Sequence, residues 1–343
     1  MRHLLNILYV TTQESYLARE GENVLLRHEN QDKFRVPVHN LEGIVCFGLV
    51  GLSPALMGLC MERNVAISFL TLHGAFLGKI VGPVSGNVLL RRRQYRLADD
   101  AVAIARLASK FILAKLLNSR AVLNRVIRDH GQKVSADQVD AAAREISQCG
   151  QDLERCQNLD SLRGIEGDAS RAYFGVFDHL ILEGKSDFFF HERSRRPPRD
   201  RMNCLLSFLY TLLAHDVRSA LETTGIDPAV GFLHRDRPGR PSLALDLMEE
   251  LRPVLADRLA LTLVNRRQIS ASGFVIQESG AVWMDNHTRK TVLTAWQERK
   301  QEEIRHPFLD EKMAVGLIPY AQALLLARHL RGDMDDYPPF IWR

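Results

Sequence analysis

Within VGFLHRDRPGRPSLALDLMEEL, Val230 to Leu251, one histidine and three arginines stand close to the acids Asp246, Glu249 and Glu250. His234 ends an apolar run, and Arg235, Arg237 and Arg240 come next in a loop broken by Pro238, Gly239 and Pro241. Such a loop favours a turn that folds the histidine back on the next helical segment. In that helix Asp246 and Glu249 are i and i+3 and share a face. Leu243, Leu247 and Leu251 supply its buried stripe, and Glu250 is i+4 from Asp246. One imidazole with one or two carboxylates suits a hard divalent cation, Mg or Mn rather than zinc. The segment LRGIEGDASRAYF offers a third ligand, Glu166, between Gly164 and Gly167. It reads as a helix start, where free amides favour a carboxylate. Taken singly, each residue has a plainer reading: a solvated histidine, two first-turn acids and a surface connector.

Cationic stretches bear on the partner. RRRQYR holds Arg91, Arg92, Arg93 and Arg96 around Tyr95. HERSRRPPRDRMN holds Arg193, Arg195, Arg196, Arg199 and Arg201, and HRDRPGR holds Arg235, Arg237 and Arg240. Each could contact phosphates, although a single arginine run is more often a solvated face. A cation among carboxylates beside such a track suits phosphodiester chemistry: it polarises a phosphoryl oxygen and activates water or a 3′-hydroxyl, while arginines offset charge in the transition state. The histidine could instead carry a proton. No GxxxxGK loop for a nucleoside triphosphate occurs.

The elements that must position these residues fall into two regions. Residues 1 to about 80 carry short runs rich in Val, Ile, Phe and Tyr, punctuated by Gly, Asn and Asp, which predict strands. One helix interrupts them, SPALMGLCMERN, with Ser53 as cap and Pro54 in the first turn. Beyond GPVSGN the pattern changes to apolar residues three and four apart, as at Ile104, Leu107, Phe111, Ala114 and Leu117. Helical patterns continue over 136–158, 168–182, 201–222, 243–264, 288–303 and 314–331, with linkers at 82–90, 184–200 and 234–242. The fold class is α+β and multidomain: a small mostly-β domain over 1–84, then a larger all-α domain over 85–343. The tail MDDYPPFIWR ends apolar, either docked or free.

The chain has 343 residues, 46% of them hydrophobic, enough for a sizeable core. Its 45 Lys+Arg against 41 Asp+Glu give a net charge of +4, which permits a nucleic-acid partner without requiring one. Five scattered cysteines with no CxxC pair fit a reducing cytoplasm and argue against a thiolate zinc site. The N-terminus is too short in its apolar part for a signal peptide, and no window is apolar enough for a membrane span.

Four ordered segments, LRGIEGDASRAYF, RRPPRDRMNCLLSFLYTLL, AVGFLH and SLALDLMEELRP, resemble the CRISPR-associated integrase of spacer acquisition over nearly the full length. The form with GFLHRDRPGRPSLALDLMEE is most similar to a bacterial type I subtype. The resemblance implies metal ligands at Glu166, His234 and Glu249, with Asp246 as an auxiliary acid and Glu250 left at the surface. It implies that Asn203 and Tyr210 frame the site, with helix packing as their plainer role, and that Arg199 contacts DNA. It also implies Mg or Mn as cofactor and a homodimer formed through the β domain. Two such dimers would flank a dimer of a small ferredoxin-like adaptation partner, in a heterohexamer that holds a prespacer duplex. Each prespacer 3′-hydroxyl would then attack a phosphodiester at an end of the first repeat of the CRISPR array. A repair or recombination nuclease that does not integrate, and a DNA-binding scaffold without catalysis, are the competing readings.

Overall fold

A computed structural model describes residues 7–29, 31–41, 43–63, 65–72, 76–80, 82, 88–156 and 158–342. The chain divides into two compact units, Met1–Gly86 and Asn87–Arg343.

The first unit holds two four-stranded sheets. One joins β1 (Ile7–Val10), β5 (Gly43–Phe47), β7 (Ala66–Leu70) and β8 (Phe76–Ile80) in that order. Its first three strands run parallel and β8 runs antiparallel to β7. The other has the order β4 (Gln31–Pro37), β3 (Asn23–His28), β2 (Ser15–Glu20), β6 (Val50–Leu52). Here β2 to β4 form an antiparallel meander, and β6 joins β2 in parallel. Helix α1 (Pro54–Glu62) packs on β2 and β7. It begins as the sequence predicts, with the Ser53 hydroxyl accepting from the Leu56 N–H and Pro54 in the first turn. Leu17, Val24, Ile44, Leu56, Leu59 and Ile67 share one core. Every residue of β5 is buried, as expected of a strand covered on both faces.

The second unit is helical: α2 (Val88–Ala98), α3 (Ala101–His130), α4 (Ala136–Arg155), α5 (Leu159–Gly175), α6 (Arg201–Thr224), α7 (Ser242–Glu249), α8 (Arg258–Asn265), α9 (Asn286–Gln301) and α10 (Ile318–Arg331). The mixed-β unit followed by a larger helical unit is the predicted fold class. Two antiparallel hairpins qualify the expectation that the second unit is all helix: β9 (Phe274–Ile276) with β10 (Val282–Met284), and β11 (Glu303–Arg305) with β12 (Lys312–Ala314). Three-residue strands are too short to establish an alternating pattern in sequence. Residues 83–87 of the expected 82–90 linker lie outside the described residues, and from Val88 the chain is already helix.

Three local features position the site. Helix α5 starts at Leu159, capped by Asn158, whose side-chain oxygen accepts from the Asp160 and Ser161 amides. Glu166 therefore lies two turns inside α5, not at a helix start. Gly164 and Gly167, read as a boundary, are interior helical residues with open space at their missing Cβ positions. Helix α6 runs through the core from the Asp200 cap to Gly225, whose φ of +85° ends it in the left-handed conformation. Its Leu205, Leu206, Leu209, Leu212 and Leu213 are buried, and truncating one such leucine to alanine costs about 2–5 kcal/mol. The third feature is a break in the expected 243–264 helix. A π-helical segment, Arg252–Asp257, separates α7 from α8. Pro253 has no N–H for an α-helical ladder at that point, and the turn widens there.

Candidate active site

Asp246 is the fixed point of the site. It is fully buried on α7. Its Oδ2 accepts from the backbone N–H groups of Phe232 at 2.6 Å and Leu233 at 2.9 Å. Its Oδ1 accepts from the His234 N–H at 2.8 Å and meets His234 Nδ1 at 2.7 Å. One carboxylate thus gathers three successive amides and a ring nitrogen, an arrangement that suits a charged acceptor. The loop closes this tightly because residue 231 is glycine: a Cβ there would come within 2.7 Å of Ser242 Cβ and 3.0 Å of Asp246 Oδ2. With Nδ1–H donating to Asp246, the lone pair of His234 is at Nε2, which faces Glu249 Oε1 at 3.8 Å. The auxiliary acid of the sequence reading is thereby the group that orients His234.

Glu249 is buried one turn further along α7. Arg252 Nη1 lies 2.8 Å from its Oε1, and Lys115 Nζ, from the middle of α3, lies 2.9 Å from its Oε2. Burial alone would raise the Glu249 carboxyl, but Arg252, Lys115 and His234 outweigh it and hold it down at about 2. Lys115 also touches Glu166 Oε1, which accepts from the Ser170 hydroxyl as well. Burial opposes the charge on Lys115, and Glu249 and Glu166 more than restore it, so its pKa is raised. Arg252 is set from behind. Its guanidinium stacks 5.0 Å from the centre of the Tyr210 ring, Arg193 lies 5.2 Å from the same ring, and Tyr210 Oη donates to Asp257 at 2.7 Å.

Glu166, His234 and Glu249 line a cavity of about 390 Å³ together with Arg163, Arg195, Leu233, Arg235, Arg237, Arg240 and Arg252. Six of those ten residues are arginines, so the opening is cationic around an acidic floor. Arg163 is itself fixed, donating through Nε and Nη2 to the Leu233 carbonyl. Asn203 is fully buried at the start of α6. Its Oδ1 accepts from Arg193 and the Ser194 N–H, and its Nδ2 donates to the Glu192 carbonyl and Asp200. It therefore anchors the loop that carries Arg195.

The sequence-predicted arginines divide. Arg195, Arg235, Arg237 and Arg240 line the cavity, whereas Arg91, Arg92, Arg196 and Arg199 are not among its lining residues. Arg91 donates to the Gly225 carbonyl, while Arg92, Arg196 and Arg199 are exposed. Glu250 departs most from expectation. It is fully buried, not at the surface, and binds the chain's own tail. Lys115, Arg163 and Arg252 were not singled out in the sequence. A lone lysine in the apolar run FILAKLLN, and arginines three residues before Glu166 and three after Glu249, were the available signals.

The donor set fits a hard divalent ion in one specific respect. Glu249 Oε2 is buried and faces the Lys115 ammonium at 2.9 Å without a well-aligned hydrogen bond. Such an oxygen, on a carboxylate whose other oxygen faces a histidine nitrogen oriented by Asp246, is what a metal ligand needs. Among the described residues, no three His, Cys, Asp or Glu side chains converge as a formed cage; the Lys115 ammonium stands between Glu166 and Glu249.

Comparison with known proteins decides the family. The family pattern described as CRISPR associated protein Cas1 matches residues 8–298. The chain belongs to the Cas1 family. It is 55% identical over 343 residues to CRISPR-associated endonuclease Cas1 1 of Chlorobaculum tepidum, covering the whole of both chains. TM1797, a Cas1 protein from Thermotoga maritima, superposes with a TM-score of 0.81 at 25% identity, covering 95% of this chain and 97% of that one. A casposase bound to integration product shares the fold, with a TM-score of 0.83 at 20% identity over 98% of this chain and 94% of that one. This Cas1 is accordingly an enzyme, a metal-dependent DNA endonuclease and integrase of CRISPR spacer acquisition. No helix among the described residues is long and apolar enough to cross a membrane.

Proposed function

We propose that Glu166, His234 and Glu249 hold one Mg or Mn ion at the floor of the arginine-lined cavity. There a prespacer 3′-hydroxyl attacks a phosphodiester at the end of a CRISPR repeat. The observation that carries this reading is the buried Glu249 carboxylate, with Oε2 lacking an aligned hydrogen bond and Oε1 facing the oriented His234 Nε2, in a cavity with six arginines among its lining residues. When bound, the ion supplies Lewis acidity at the phosphoryl oxygen and favours the deprotonated form of the attacking hydroxyl. The protein supplies the rest. Asp246 fixes the tautomer and angle of His234. Arg252, backed by Tyr210, stands where charge builds on the phosphoryl group. Arg195, Arg237 and Arg240 hold the flanking phosphates, and Arg235, paired with Asp160 at 3.1 Å, stands at the rim. Transesterification conserves the number of phosphodiester bonds, so no nucleotide triphosphate is consumed; with water in place of the hydroxyl the same site hydrolyses DNA.

The assembly rests on the family resemblance. The protein works in the cytoplasm as a homodimer through its β unit, and two dimers flank a dimer of a small ferredoxin-like adaptation partner in a heterohexamer that holds the prespacer duplex. The test is a strand-transfer assay with a supercoiled array plasmid, a 3′-hydroxyl duplex, the partner and Mg or Mn. Glu166→Ala, His234→Ala and Glu249→Ala each abolish integration while duplex binding is kept. Integration without divalent metal, or full activity in all three variants, overturns the reading.

A further inference from the structure

Lys115 is out of place by its surroundings. It lies in the middle of α3 between buried Ala114 and Leu116, and its side chain is only 11% exposed. A lysine so enclosed needs an anionic partner, and this one has two: Glu166 Oε1 and Glu249 Oε2. Two carboxylates facing one locus repel each other unless a cation lies between them. The ammonium occupies that position, yet meets Glu249 Oε2 without an aligned hydrogen bond. Arg252 already neutralises the other Glu249 oxygen. The charges of Glu166 and Glu249 are thus met by Lys115 and Arg252, and a divalent ion would have to claim the same two carboxylate oxygens that Lys115 meets.

From this balance we propose that Lys115 is a built-in counter-cation for the metal locus: it holds Glu166 and Glu249 together in the metal-free enzyme, and a divalent ion binds by displacing it. The inference rests on the ligand assignment proposed above. The displaced ammonium leaves the acids for the cavity, where a DNA phosphate is an anion it can pair with. Metal and DNA are thereby expected to bind cooperatively.

The experiment is Mn²⁺ titration of the full-length protein without DNA, monitored by calorimetry and by the signal of free Mn²⁺. Lys115→Met is expected to tighten the dissociation constant at least about tenfold, within the range of ordinary coupling between sites. Lys115→Arg, which retains the charge, is expected to stay within about threefold of wild type on the same scale. In the wild-type protein, acylation of Lys115 by an amine reagent, read by mass spectrometry, rises several-fold when Mn²⁺ is added. That arm holds even if Lys115→Met fails to fold. Unchanged or weaker Mn²⁺ binding in folded Lys115→Met, or labelling that ignores the metal, overturns the counter-cation role. Glu166→Gln and Glu249→Gln separate the two ideas: if both bind Mn²⁺ like wild type, the ligand assignment itself is wrong.

Discussion

Glu249 and Glu250 are adjacent in sequence, equally buried and chemically identical, yet α7 turns them into opposite environments. Glu249 faces Arg252, Lys115 and His234, which overcome its burial and hold it ionised, down at about 2. Glu250 faces the C-terminal tail. It accepts from Tyr337 Oη at 2.8 Å, the Phe340 N–H at 2.7 Å and Gln322 at 3.0 Å. No cation is among the causes acting on it, and burial pushes it up to about 8 against those hydrogen bonds. Asn118 extends the same lock, donating to the Glu250 and Phe340 carbonyls and accepting from the Trp342 N–H. The difference between the two is one of neighbours: cations hold buried Glu249 ionised, whereas neutral donors leave buried Glu250 tied to the tail.

The sharpest break of that comparison is by exchange of function. Glu249→Gln is expected to lower strand transfer by more than about a hundredfold, whereas Glu250→Gln retains it within about tenfold under conditions where both are folded; equal losses would erase the distinction. Next in size is stability. Glu250→Ala removes the acceptor of the Tyr337 hydroxyl and the Phe340 N–H and is expected to cost on the order of 3 kcal/mol, read as a lower denaturation midpoint with an unchanged denaturant slope.

The pH response separates the two acids further. Glu250 keeps its proton in the folded protein to about 8, above the ordinary glutamate value of 4.5. Its contribution is full below 4.5 and is lost as pH rises from there through about 8. The melting-temperature gap between wild type and Glu250→Gln is therefore expected to drift against wild type from about pH 5 to about 8.5. Glu249 has the opposite sign: its contribution is present above 4.5 and is lost as pH falls through about 2. A flat gap between about pH 5 and about 8.5 would refute the assignment for Glu250. The smallest effect belongs to the cavity arginines proposed to hold flanking phosphates. Arg237→Ala or Arg240→Ala is expected to weaken duplex binding evenly across sequences and to reduce the salt slope by about one unit each, whereas Arg91→Ala leaves that slope unchanged.

Much of this was legible in the chain itself. Val, Ile and Phe runs with turn residues between them mark the strands of the first unit, because side-chain alternation and turn chemistry are local properties. The i, i+3 spacing of Asp246 and Glu249 put both on one helix face for the same reason. The ordered segments around Glu166, His234 and Glu249 identified the family before any geometry. Three-dimensional contact decided the rest. Whether Glu249 or Glu250 meets cations depends on which of α3, the π-helical turn and the tail packs on each side of α7, and that is a matter of residues as far apart as Asn118 and Phe340. Lys115 is more than fifty positions from Glu166 and well over a hundred from Glu249, so no periodicity could pair them. Charge on a buried group is set by its nearest neighbours in space, and only the packed helices determine who those neighbours are.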